Sequence, residues 1–227
     1  MPGWRSLELQ PLPVSLAVFC LMILISGSFD GLSETFWWLG QVGINPLEFP
    51  GRSAVQGLNS AGLIGANIAV IAVYAGSLWV GIWAAKRWSG LTGVRFAEVF
   101  STFAIAILPI ALGYHFAHYF VSFLVQVQVL AATLADPFAR GWSLFGLGDV
   151  RVTTGFLNST ETVRPILLTN VATVVISHIL SVVMAHSLAG RFAQNRRSVI
   201  LLQVGLSVLM IAYTVFGLWL LSTPRGA

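Results

Sequence analysis

Five long apolar stretches constrain this chain more than anything else in its sequence. They cover about residues 14–29, 61–85, 99–125, 165–190 and 199–222, and a helix needs roughly 20 apolar residues to cross the hydrocarbon core of a bilayer. Inside lipid every backbone polar group must find a partner within the protein, so stretches of this kind are helices. The expected fold is therefore all-α, a polytopic transmembrane helical bundle of about five spans, with residues 1–227 forming a single transmembrane domain. The first stretch is short but extends through Pro11-Leu12-Pro13. It lacks a tight small-residue cleavage site and runs straight into Phe29-Asp30-Gly31, so it is read as a retained span rather than a signal peptide.

Charge supports the same assignment. Only 9% of the 227 residues are charged, against roughly 25% in a soluble domain, and the mean hydropathy is +0.84. So few charges would not cover the surface of a soluble fold of this size. No basic run is interleaved with aromatics, so nucleic acid is not an expected partner; membrane lipid is. The single cysteine, Cys20, lies within the first stretch. It rules out a disulfide framework and reads as a small buried hydrophobe.

Basic residues in the short loops set the expected orientation. Lys86, Arg87 and Arg95 join spans two and three, Arg191, Arg196 and Arg197 join spans four and five, and Arg5 falls on the same side. Arg52, Arg140, Arg151, Arg164 and Arg225 fall on the other. The positive-inside rule then places the N-terminus inside and the C-terminus outside. Asp30, Glu34, Glu48, Asp136, Asp149 and Glu161 collect on the outer side. Two long outer loops, 30–60 and 126–164, are rich in aromatics. Their tryptophans are expected to anchor at the interface and the loops to fold back on the membrane surface.

The chemistry-bearing residues concentrate on two spans. Span three carries Tyr114-His115-Phe116-Ala117-His118-Tyr119, and span four carries His178 and His186; these are all four histidines of the chain. Histidines three apart lie about 60° apart on one helix face, and eight residues give about 80°. With centred spans, His115, His118 and His178 fall near the midplane and His186 nearer the cytoplasmic end. Ionisable groups at that depth are costly and normally face partners inside the bundle. Neutral imidazole is a common metal ligand and an axial ligand of haem.

Three readings follow from these positions. In the first, His115, His118, His178 and, less centrally, His186 hold a transition metal ion. A metal-bound water then acts as nucleophile, with Asp30 or Glu34 as catalytic proton acceptor. In the second, His115 and His178 ligate one haem b in an electron-transfer subunit. In the third, the chain is a non-catalytic accessory subunit of a larger membrane complex, and its histidines are hydrogen-bonded core groups. Asn67, Tyr74, Tyr114, Tyr119, Asn170, Ser177, Ser181 and Tyr213 are the polar span residues able to orient imidazoles. Pro109 is expected to kink span three. No Walker loop, dinucleotide fingerprint, His-Glu-x-x-His or Gly-x-Ser-x-Gly motif occurs.

Several runs together resemble the C-terminal half of the bacterial fenitrothion hydrolase-like polytopic membrane protein family. They are Ser28-Phe29-Asp30-Gly31 with Glu34-Thr35, Tyr114 to Tyr119, Asp136-Pro137-Phe138, Gly141 to Gly146, Arg151-Val152 with Gly155, and the pair His178 and His186. The matches extend over about residues 28–220. The resemblance implies a multi-pass inner-membrane protein and, by the family's name, hydrolysis of organophosphate esters. Members of that family carry additional N-terminal spans, so it also implies that other membrane protein subunits complete this chain.

Overall fold

The computed structural model describes residues 12–48, 52–146 and 151–224, with side chains in the second stretch from Ala54 onward. Arg5, Pro11, the Phe49-Pro50-Gly51 run, the Arg52 side chain, Asp149 and Arg225 lie outside the described residues. Helices α1 (Val14–Ser33), α2 (Phe36–Gln41), α3 (Arg52–Ser89), α4 (Phe96–Ala135), α5 (Thr160–Ala189) and α6 (Arg196–Ser222) follow in order, with no strand among the described residues. All but α2 are long and apolar enough to cross a membrane. The chain is an all-α, multi-pass membrane protein.

Local signals fix where these helices start. The Ser159 and Asn195 side chains accept from the backbone N–H groups of Glu161 and Arg197, capping α5 and α6. The Thr35 hydroxyl accepts from Trp38 N at the start of α2. At the foot of α4, Arg95 pairs with Glu98. The helix runs unbroken through Pro109.

Several helices are longer than hydropathy predicts. Hydropathy detects the part of a helix that needs lipid, whereas helix formers such as those of 126–135 continue the coil beyond it. α4 reaches Ala135, α3 begins at Arg52, and α1 runs on to Ser33. The last extension matters most, because it places Asp30 inside the final turns of α1 instead of in a loop.

α3 packs on α6, and α4 packs against α1 and α5. Gly81 faces the Leu202 backbone and Gly205 the Ser77 backbone, so α3 and α6 approach as closely as main chains allow. The core is built from Leu21, Leu24, Ile25, Leu78, Phe103, Ile107, Ile110, Leu202, Leu206 and Met210. Tyr74 ties α3 to α4 by donating to the Phe100 carbonyl at 2.9 Å.

One end of the bundle holds the α3–α4 and α5–α6 connections with their Lys and Arg residues; the opposite end holds Glu34, Glu48, Asp136 and Glu161. The core lies toward the basic end. The buried residues of α4 fall at 99–117, followed only by Ala135.

The acidic-end segments are ordered by specific contacts. Trp38 packs edge-on against Phe29 and donates from Nε1 to Asn59 Oδ1 at 2.8 Å. Its role is therefore to hold α2 against α1 and α3 as well as to sit near the interface. The Asp136 carboxylate accepts from the N–H groups of Arg140 (2.8 Å) and Gly141 (2.6 Å). The Arg140 amide contributes most to holding this carboxyl below the usual aspartate value. The turn presents Phe138, Trp142 and Phe145 outward. Gln128 then exchanges two hydrogen bonds with the Thr153 backbone, pinning the returning segment to α4.

Candidate functional site

Each of the four histidines has its own partner. A backbone carbonyl only accepts, so His115 Nδ1–H donates to Ala111 O at 2.8 Å and His178 Nδ1–H donates to Val174 O at 2.7 Å. Each therefore satisfies one nitrogen within its own helix. His186, exposed near the basic end, accepts on Nδ1 from Gln203 Nε2 of α6 at 2.7 Å.

His118 differs from the other three. Its Nε2 lies 2.8 Å from Asp30 Oδ2, which joins α4 to α1. A carboxylate only accepts, so in the neutral ring the hydrogen is on Nε2 and Nδ1 carries the lone pair. The Tyr119 hydroxyl donates to the same Asp30 oxygen at 3.0 Å. The His118 side chain is 10% exposed and that of Asp30 48%, and among the described residues no group bonds the buried His118 Nδ1.

Two α1 glycines make room for the imidazoles. A Cβ on Gly27 would lie 2.7 Å from His115 Cε1, and one on Gly31 would lie 3.4 Å from His118 Nδ1. Gly27 and Gly31 are four apart and share a face of α1, the small-x-x-x-small pattern that lets helices approach. Beside them Tyr114 passes over Gly217 of α6 and donates to the Tyr213 carbonyl at 2.7 Å. Tyr213 in turn bonds Ser28 at 2.7 Å, and Ser28 donates to Leu24 O.

His118, Tyr114, Val174, Gly27, Gly31 and Gly217 are among the residues lining a part-open cavity of about 20 Å³. That is enough for one water molecule. Asp30 is sixteen residues above Val14, so the pair sits about 24 Å along a helix about 30 Å long. It is closer to the acidic end than the midplane position expected for His118.

The expected gathering of histidines is not found. Among the described residues no three His, Cys, Asp or Glu side chains are placed to hold a metal ion. His115 sits on the α1 side of α4, while His178 is packed near Tyr114, with ring centroids 6.2 Å apart. A cavity of about 20 Å³ is also far smaller than the roughly 300–1,000 Å³ typical of ligand pockets, so a porphyrin does not fit there. The residues present do not fit a metal or haem b at this place. Glu34, the other acid expected at a site, follows the last residue of α1 and donates its backbone N–H to Leu32 O. Asp30 is the acid that meets a histidine.

Of the polar span residues, Tyr119 reaches the Asp30–His118 pair directly. Tyr114 and Tyr213 brace its neighbours, while Ser177, Asn67 and Tyr74 bond backbone carbonyls. Gly27, Gly31 and Gly217 were not apparent as site residues from sequence, although the Gly27–Gly31 spacing beside Asp30 is a signal that was there to read. The chain matches no protein-family model, no curated protein and no solved structure.

Proposed function

We propose that this chain is a membrane-embedded hydrolase of an inner membrane, in which His118, held by Asp30, is the general base. The observation that carries this reading is the 2.8 Å contact between His118 Nε2 and Asp30 Oδ2, combined with the unpartnered, buried Nδ1 lone pair at a water-sized cavity. A water there gives its proton to Nδ1 as its oxygen attacks the electrophilic phosphorus or carbonyl carbon of an ester docked at the open side of the cavity. The bond to the leaving group breaks, and the imidazolium returns the proton to that group. Asp30 fixes the ring and stabilises its charged form, and Tyr119 steadies the carboxylate. The reaction class rests on the resemblance to the fenitrothion hydrolase-like family, and no step requires a metal.

The test is hydrolysis of a chromogenic phosphotriester and a chromogenic acyl ester by the purified protein in nanodiscs. Turnover that falls about 100-fold or more in His118→Asn and Asp30→Asn, with both variants still folded, supports the reading. No turnover of either ester, or turnover indifferent to both substitutions, overturns it.

A second reading, a subunit completed by other membrane proteins, is favoured by α4. Its 40 residues make a helix about 60 Å long, twice the roughly 30 Å of the hydrocarbon core. Even a tilt of about 40° leaves the end that carries residues 126–135 beyond the core. Phe123, Leu130 and Leu134 stay exposed on its outer half. Cysteine cross-linking from Phe123 and Leu130 in native membranes tests this; labelling by lipid probes alone would refute it.

A further inference from the structure

Among the described residues, five buried polar atoms without a protein partner fall on α5 and on α4 and α6, which pack against it. They are Asn170 Oδ1, His118 Nδ1, His178 Nε2, Ser181 Oγ and Gln203 Oε1. Asn67 Oδ1 on α3 is the remaining such atom among the described residues. We infer that a file of internal water molecules runs along the buried face of α5, from the cavity beside His118 to the His186–Gln203 contact at the basic end, and relays protons between them.

The helix geometry supplies the file. Asn170, Val174, His178, Ser181 and Ala185 are all buried, and their spacing keeps them within a stripe about 80° wide. Val174 lines the His118 cavity. Asn170 is one turn beyond it toward the acidic end, and His178 one turn toward the basic end. Each step of four residues rises about 6 Å, which one water bridges with two hydrogen bonds of about 2.8 Å. The step from His178 to Ser181 is shorter, about 4.5 Å. At the basic end Gln203 reaches from α6 to the exposed His186.

The donors and acceptors also match. The Nδ1–H of His178 is committed to Val174 O, so its free Nε2 is an acceptor, as is His118 Nδ1, while the Ser181 hydroxyl both donates and accepts. Buried polar atoms in native proteins are satisfied by protein or by ordered water, and bound waters typically make about three hydrogen bonds each. Polar atoms at levels about 4.5–6 Å apart along α5 make a site for water, and Gln203 continues it to the exposed His186 at the opposite end of the bundle. It stands on these unpartnered atoms and not on hydrolysis at its outer end.

Two measurements test it. In proteoliposomes loaded with a pH-sensitive dye, the wild-type chain is expected to collapse an imposed pH difference several-fold faster than empty vesicles. His178→Phe and Ser181→Val should return the rate to the empty-vesicle value, and His118→Asn should lower it less than His178→Phe. Hydroxyl-radical footprinting of the wild-type protein needs no variant to fold, and should oxidise buried Val174 and His178 at rates typical of water-exposed residues. Collapse no faster than empty vesicles, collapse unaffected by His178→Phe, or protection of Val174 and His178 from the radical would each overturn the file.

Discussion

The imidazole of His115 rests on the backbone of Gly27, so closely that a methyl group there would lie 2.7 Å from its Cε1. This contact fixes how α1 and α4 approach and therefore where Asp30 meets His118. Gly27→Ala is expected to push the His115 ring off its Ala111 hydrogen bond and to destabilise the protein by about 1–3 kcal/mol, as overpacking does. Gly31→Ala meets His118 at 3.4 Å, an ordinary contact, and should cost less. Thermal unfolding in detergent, compared between the two variants, gives the order.

Asp30 and Tyr119 contribute to the site unequally. Asp30→Asn keeps the size of the side chain but removes the acceptor charge that holds the His118 ring, and turnover should fall about 100-fold or more. Tyr119→Phe removes the 3.0 Å hydrogen bond to a half-exposed carboxylate and leaves the His118 contact in place, so a loss of only a few-fold is expected. Steady-state rates of the two variants side by side give the comparison; equal losses would mean that Asp30 does not act through His118.

The Tyr114–Tyr213–Ser28 bonds brace the site from beside the Asp30–His118 pair. Tyr213→Phe removes the 2.7 Å bond to Ser28, whose hydroxyl still donates to Leu24 O. The expected cost is about 1 kcal/mol, the net worth of one hydrogen bond. Tyr114→Phe should cost more, because it leaves the Tyr213 carbonyl without its side-chain donor. Denaturation midpoints of the two variants test this order.

The Asp136 turn should respond to acid with a definite sign. Amide hydrogen bonds, that from Arg140 first, hold the folded carboxyl below its unfolded value, which is about 3.9. Such a group contributes stability above the unfolded value and loses it as pH falls through the folded one. Emission from a variant retaining Trp142 as its sole tryptophan should stay constant from pH 7 to about pH 5 and change only below about pH 4. Asp136→Asn should abolish that acid transition.

The five spans and the all-α class were legible because hydropathy reports directly on what must lie in lipid. Asp30 and His118 were both legible as candidates, but their pairing was not. It depends on α1 continuing to Ser33 across residues that hydropathy scores as a loop, and on a contact 88 positions apart in sequence. Among the described residues no three of the candidate ligands meet, and there is a local reason. An imidazole on a helix can bond the carbonyl four residues back, as His115 and His178 do. That satisfies one nitrogen without any long-range partner, so shared helical faces did not imply convergence.

Everything proposed for the site depends on which nitrogen of His118 carries the hydrogen. The most direct measurement is the ¹⁵N spectrum of its ring in ¹⁵N-histidine-labelled protein in nanodiscs at neutral pH, assigned with His118→Asn. A neutral ring protonated on Nε2, with an unprotonated Nδ1 and a tautomer balance that shifts in Asp30→Asn, is the result predicted. A ring protonated on Nδ1, or a spectrum unchanged by Asp30→Asn, would contradict it.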